Sequence, residues 1–139
     1  MEKMESLNNF NVVVIGIIFD PAKKKILIGK RENDPHLESL EWCFPGGRLN
    51  NGEEVDKALK LHVKKKTGYE VKNLGAIFSK VMNEKPNMLT VYFLTEVFRG
   101  EESPGDGIKE LKWVDPEELE GLFKTSFNSR LKEYLISLK

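Results

Sequence analysis

Three side chains within five positions, His62, Lys65 and Lys66, limit the chemistry open to this chain. Residues three and four apart lie on one face of a helix, so a helix through them presents an imidazole and two ammonium groups together. An ammonium has no lone pair to offer a metal ion. A divalent cation ~4 Å from one charged lysine meets about 8 kcal/mol of repulsion at an effective dielectric of 20. A neutral His62 can ligate a metal, but one imidazole beside two cations is a poor site for magnesium, which takes oxygen ligands. The three groups together are ill suited to hold such a metal. The same lysines, with Lys64, also sit where cations meet the negative end of a helix dipole, and an exposed last turn explains them with no ligand. Two carboxylates, Glu53 and Glu54, stand at the other end of the segment, where acidic groups are favoured for the matching reason.

The elements that hold these groups are legible from spacing. Asn51 followed three residues on by Glu54 is an N-cap signature; Val55, Ala58, Leu59 and Val63 recur at helical spacing, and Gly68 is a stop. The pattern predicts a helix from about Glu53 to about Thr67. Upstream, the nearly continuous apolar run from Val12 to Phe19 predicts a strand covered on both faces. Asp20 to Lys24 predicts a turn into a second strand at Lys25 to Lys30. Downstream, strands are expected at Val71 to Met82 and Met88 to Phe98, joined by a turn at Asn83 to Asn87, with Leu89, Val91, Phe93 and Val97 on one face. Acidic, glycine-bearing Gly100 to Gly107 reads as a loop and Ile108 to Val114 as a strand. Asp115-Pro116-Glu117-Glu118 is a helix start with a cap, a first-turn proline and a capping box. A terminal helix is expected from near Asn128 to Leu138, with Leu131, Tyr134, Leu135 and Leu138 on one face.

The segment Gly47 to Tyr69, GRLNNGEEVDKALKLHVKKKTGY, resembles the Nudix box, G-x5-E-x7-R-E-U-x-E-E-x-G-U with U apolar. Gly47 opens it, Glu53 takes the first acidic position, Val63 the apolar one, and Gly68 with Tyr69 closes it without insertion. Where the box has Arg, Glu and the Glu-Glu pair, this chain has Leu61, His62, Lys65 and Lys66. The approach Glu41-Trp42-Cys43-Phe44-Pro45-Gly46-Gly47 is similar to the family's W-x-F-P-G-G, and Ile26 to Arg31 to its preceding strand. The resemblance implies the Nudix fold, an α/β mixed sheet sandwiched between α-helices. It would occupy one domain over residues 1–139, with 1–10 a polar lead-in and 47–69 a degenerate Nudix box.

What the resemblance implies for function divides at the box. In MutT-like hydrolases the glutamates hold Mg²⁺ or Mn²⁺, which activates water and neutralises the diphosphate. One reading is a catalytically impaired relative that holds a nucleotide or other phosphate compound through Arg31, Gly46, Gly47, His62, Lys65, Lys66 and Asn128, with no cofactor. A second is an active hydrolase that uses Mg²⁺ or Mn²⁺ through Glu53 and Glu54 as metal ligands, with Glu53 and Glu110 as catalytic groups and Asp106 able to exchange roles with Glu110. A third is an interaction module without a ligand. Arg31 matches a position that contacts substrate phosphate in MutT-like members, or is an exposed cation at a strand end. Asn128 matches a position where some nucleotide-specific members hold an amide against the base, or is an ordinary N-cap. Gly46 and Gly47 permit a tight backbone turn facing phosphates.

Composition sets outer bounds. At 139 residues, 40% hydrophobic and 32% charged, the chain suits one core. Twenty-two basic and 22 acidic residues balance, giving no global pull toward nucleic acid or membrane. One cysteine, Cys43, makes no internal disulfide, and a cytoplasmic location is expected. The number of subunits, including a homodimer, stays open.

Overall fold

A computed structural model describes residues 11–32, 42–82, 85–123 and 127–139; the lead-in, His36, Glu41 and part of the turn after Met82 lie outside them. The apolar run forms β1 (Asn11–Asp20). Alternation sends Val14 and Ile18 to one face and Ile17 to the other, and all three are buried, which is why the run is apolar throughout. Asp20 ends it by accepting the N–H of Ala22 and Lys23 at 2.9 and 3.2 Å. The chain returns as β2 (Lys25–Arg31), antiparallel to β1.

These two strands pair only through Ile18, Phe19 and Asp20, then separate. The next segment fills the opening. β3 (Trp42–Cys43) pairs with β2 at Gly29 and Lys30, and β4 (Gly46–Leu49) pairs with β1 from Val12 to Ile15. Between them the Gly16 N–H donates to the Pro45 carbonyl at 2.8 Å. Gly46 and Gly47, expected in a turn, are therefore ladder residues on the edge of β1 that β2 leaves open.

β5 (Tyr69–Met82) and β6 (Lys85–Gly100) form a long antiparallel pair, and β6 runs parallel to β1. Because Met82 pairs with Lys85, the ladder extends into residues expected to form the turn. β7 (Ile108–Val114) lies on the other edge of β2 and completes a seven-stranded mixed sheet among the described residues.

Helix α1 (Val55–Thr67) covers one face, burying Leu59 and Val63 against Val14, Ile18, Leu27, Val71 and Phe93. The opposite face is covered by a 3₁₀ turn (Pro116–Glu118), α2 (Leu119–Leu122) and α3 (Ser129–Ser137), whose Leu119, Leu131 and Leu135 pack on Ile17, Ile26, Ile28, Phe44 and Val114. The expected sandwich is present. Tyr134 is 37% exposed, so the apolar stripe of α3 is narrower than its spacing suggests. The start of α1 also differs. Glu54 is the N-cap and makes no side-chain cap bond. The reciprocal pair sits earlier, where Glu53 accepts the Asn50 N–H at 2.7 Å and the Glu53 N–H donates to Asn50 at 3.1 Å. Gly52, at φ 82, turns the chain there and takes Asn51 out of the cap position.

Two glycines test this packing. A Cβ at Gly46 would lie 2.3 Å from the Val14 carbonyl oxygen, whereas one at Gly121 in α2 meets nothing within 4 Å. Gly46→Ala is expected to lose at least ~1–3 kcal/mol, and Gly121→Ala to gain roughly 0.5–1 kcal/mol, read from urea midpoints.

Candidate functional site

Helix α1 approaches the sheet very closely at two glycines. A Cβ at Gly16 would come within 2.9 Å of Val63 Cγ2, and one at Gly47 within 2.4 Å of His62 Nδ1. The imidazole therefore lies flat against the β4 backbone. Its Nε2 stands 3.0 Å from the Arg48 carbonyl and donates to it. Nδ1 is buried with no hydrogen-bond partner. With both nitrogens turned to protein, His62 fastens α1 to β4.

One turn later, Lys66 reaches the same strand. Its half-buried Nζ donates to the Gly46 carbonyl. Burial holds the Lys66 amine below the usual lysine range; Asp106 and then Cys43 oppose this, while Arg31 adds to it. Burial pushes the Cys43 thiol up, and Arg31 and Lys66 pull it partly back. Lys66 thus meets Gly46 directly, with Arg31, Cys43 and Asp106 near enough to act on it electrostatically. The three lysines have separate fates. Lys64 turns away, with Nζ 3.2 Å from the Gly68 carbonyl and 3.9 Å from Glu70, so the helix-dipole explanation describes it well. Lys65 is exposed. Only Lys66 meets β4.

The loop after β6 seals the end of this helix. Gly68, at φ 82, donates its N–H to the Lys64 carbonyl at 2.9 Å. Ser103 and Gly105 donate to the carbonyls of Thr67 and Lys66 at 2.8 and 3.3 Å, satisfying groups a helix end leaves open.

A profile of the NUDIX domain matches residues 9–136. The chain belongs to the Nudix family. It is 33% identical over 131 residues to the ADP-ribose pyrophosphatase of Methanocaldococcus jannaschii, covering 89% of this chain and 72% of that protein. Among solved structures it is similar to a MutT from work on Aliivibrio salmonicida and Vibrio cholerae, with TM-score 0.71, 22% identity and coverage of 91% and 96% of the two chains. A Nudix hydrolase from Nitrosomonas europaea matches with TM-score 0.74 and 18% identity over 91% of this chain and 70% of that one. These likenesses to solved structures concern the fold.

Nudix hydrolases generally use divalent metals, and the described residues do not assemble a site that fits one. Among the described residues no three His, Cys, Asp or Glu side chains lie together as a metal-binding group. The Gly46 carbonyl is engaged by an ammonium. Glu53 is committed to the Asn50 N–H, and Glu54 is exposed, 3.9 Å from Lys57. Glu110 pairs across from Lys30, and strand alternation puts it with Val114 on the sheet face away from α1. Asn128 caps α3, its Oδ1 accepting the N–H of Arg130 and Leu131 at 2.8 and 3.3 Å.

Sequence reasoning passed over Gly16, Cys43 and the link between Asp106 and Lys66. An isolated glycine in an apolar strand signals close backbone approach and marks Gly16; nothing local marks the other two. The lowered Lys66 amine can be observed directly. Residue-resolved labelling with an amine reagent against pH is expected to place its midpoint below that of a lysine in a short peptide, and a midpoint at or above the peptide's would contradict the effect of burial.

Proposed function

We propose that this Nudix-family chain binds a nucleotide or other diphosphate compound without a divalent metal, Lys66 supplying the fixed positive charge. The observation that carries this reading is the Lys66 ammonium on the Gly46 carbonyl, with Arg31 close enough to depress the same amine. A half-buried ammonium favours an anionic ligand. Lys65 would guide the ligand from the rim, the β4 backbone at Gly46 and Gly47 would line its approach, and His62 holds the helix in register. Asn128 keeps its amide nitrogen for a base edge, since only its oxygen serves the cap. The name of the archaeal relative makes ADP-ribose the first compound to try.

That relative's name also favours a second reading, hydrolysis with Mg²⁺ or Mn²⁺ through Glu53, Glu54 and Glu110. It requires carboxylates on two elements and on opposite sides of the sheet to act on one bond.

Calorimetric titration with ADP-ribose in EDTA separates the two. Binding is expected without metal, weaker at high salt, and weaker by about 10- to 100-fold in Lys66→Ala, the loss of a charged hydrogen bond. The sign with pH follows from the lowered amine. Binding needs the ammonium, so affinity is full at low pH and is lost as pH rises through a midpoint below the ordinary 10.5. Binding or turnover that appears only with Mg²⁺ would favour the hydrolase.

A further inference from the structure

The loop between β6 and β7 lies against the last turn of α1, and one carboxylate fastens it there. Glu102 Oε1 accepts the Trp113 indole N–H at 2.8 Å and the Tyr69 hydroxyl at 3.2 Å. Tyr69 opens β5 and Trp113 lies in β7, strands that are not neighbours in the sheet, and their rings meet edge to face with centroids 6.3 Å apart. Glu102 thus bridges two separate parts of the sheet. The backbone on either side of it closes on the helix end. A Cβ at Gly68 would collide with the Glu101 carbonyl oxygen, and one at Gly105 would lie 2.7 Å from that of Lys65. Ser103 N–H donates to the Thr67 carbonyl at 2.8 Å and Gly105 N–H to the Lys66 carbonyl at 3.3 Å. These are two of the four carbonyls that an α-helix leaves without a partner at its end.

We propose that Glu102 is a positioning residue: by holding the loop on Tyr69 and Trp113 it keeps the last turn of α1 closed, and so keeps the Lys66 ammonium on β4 for an anionic ligand. The effect on a ligand rests on the binding reading above; the attachment of the loop does not. The far half of the loop is held separately, with Ile108 N–H donating to the Gly105 carbonyl at 3.0 Å and Glu32 N–H to the Gly107 carbonyl at 2.9 Å. The near half is held to the sheet by the Glu102 side chain. Lys66 stands one residue from the end of α1, where a helix frays first, and its Nζ must still reach the Gly46 carbonyl. Release of the loop therefore reaches Lys66 before the rest of the helix. The helix itself persists, because the buried Thr67 hydroxyl donates to the Val63 carbonyl at 2.7 Å.

The test uses the full chain with Glu102→Ala, which removes both hydrogen bonds, and Glu102→Gln, whose amide oxygen can accept both without a charge. Amide hydrogen exchange at Ser103 and Gly105 is expected to rise about tenfold or more in Glu102→Ala, with the β1 and β2 amides unchanged and Glu102→Gln like the parent. In EDTA, inorganic pyrophosphate is expected to bind Glu102→Ala roughly threefold to tenfold more weakly than the parent, as for a lost hydrogen bond, and Glu102→Gln at least as well as the parent. The sign is informative. Loss of a carboxylate charge alone would strengthen anion binding, so weaker binding in Glu102→Ala reports position. Unchanged exchange at Ser103 and Gly105, or faster exchange throughout the sheet, overturns the fastening role whether or not pyrophosphate binds. Faster local exchange with parental or tighter pyrophosphate binding overturns the link to Lys66 alone. Failure of every chain, parent included, to bind pyrophosphate overturns that link together with the binding reading.

Discussion

The arrangement depends on how closely one helix approaches two strands. Glycine at 16 and 47 removes the side chains that would hold α1 away from β1 and β4, and Val63 and His62 take the space. Once the imidazole is bonded to the Arg48 carbonyl, the rotation of the helix is fixed. A residue four positions on must then face the same strand. That residue is Lys66, and the Gly46 carbonyl is the group it meets. The open edge of β1 makes this contact available, because β2 leaves after three pairs and β4 takes its place.

Burying part of an ammonium beside a guanidinium costs free energy unless something offsets the charge. Here a backbone carbonyl accepts from Lys66, and burial still holds the amine below its ordinary range. On the binding reading proposed above, an anionic ligand would add to that offset. Nudix hydrolases generally use divalent metals; on that same reading the Lys66 ammonium would supply the positive charge here. An ammonium in that role would bind phosphate as a point charge and, unlike a metal ion, would not itself coordinate water.

The sandwich was legible in the sequence because its signals are local. The apolar run of β1, the spacing of Leu59 and Val63 and the stop at Gly68 each predict the element in which they occur. Where prediction drifted, a neighbour decided the outcome. Gly46 and Gly47 became strand because β1 offered an unpaired edge, and Asn51 lost the cap because Gly52 turned the chain early. The candidate site was half legible. Helical spacing put His62 and Lys66 on one face, yet spacing could not tell that the imidazole turns inward to the backbone or that Lys64 turns away. The electrostatic influence of Cys43, Arg31 and Asp106 on Lys66 joins four separate elements, and no local pattern encodes it.

On the proposed reading, the Lys66 ammonium stands in place of a divalent metal. Electron paramagnetic resonance of Mn²⁺ titrated with the protein alone tests it most directly, because bound and free Mn²⁺ give separable signals. The free Mn²⁺ signal is expected to stay undiminished when protein is added in excess. A stoichiometric fall in that signal would place a metal site in the chain and contradict the account.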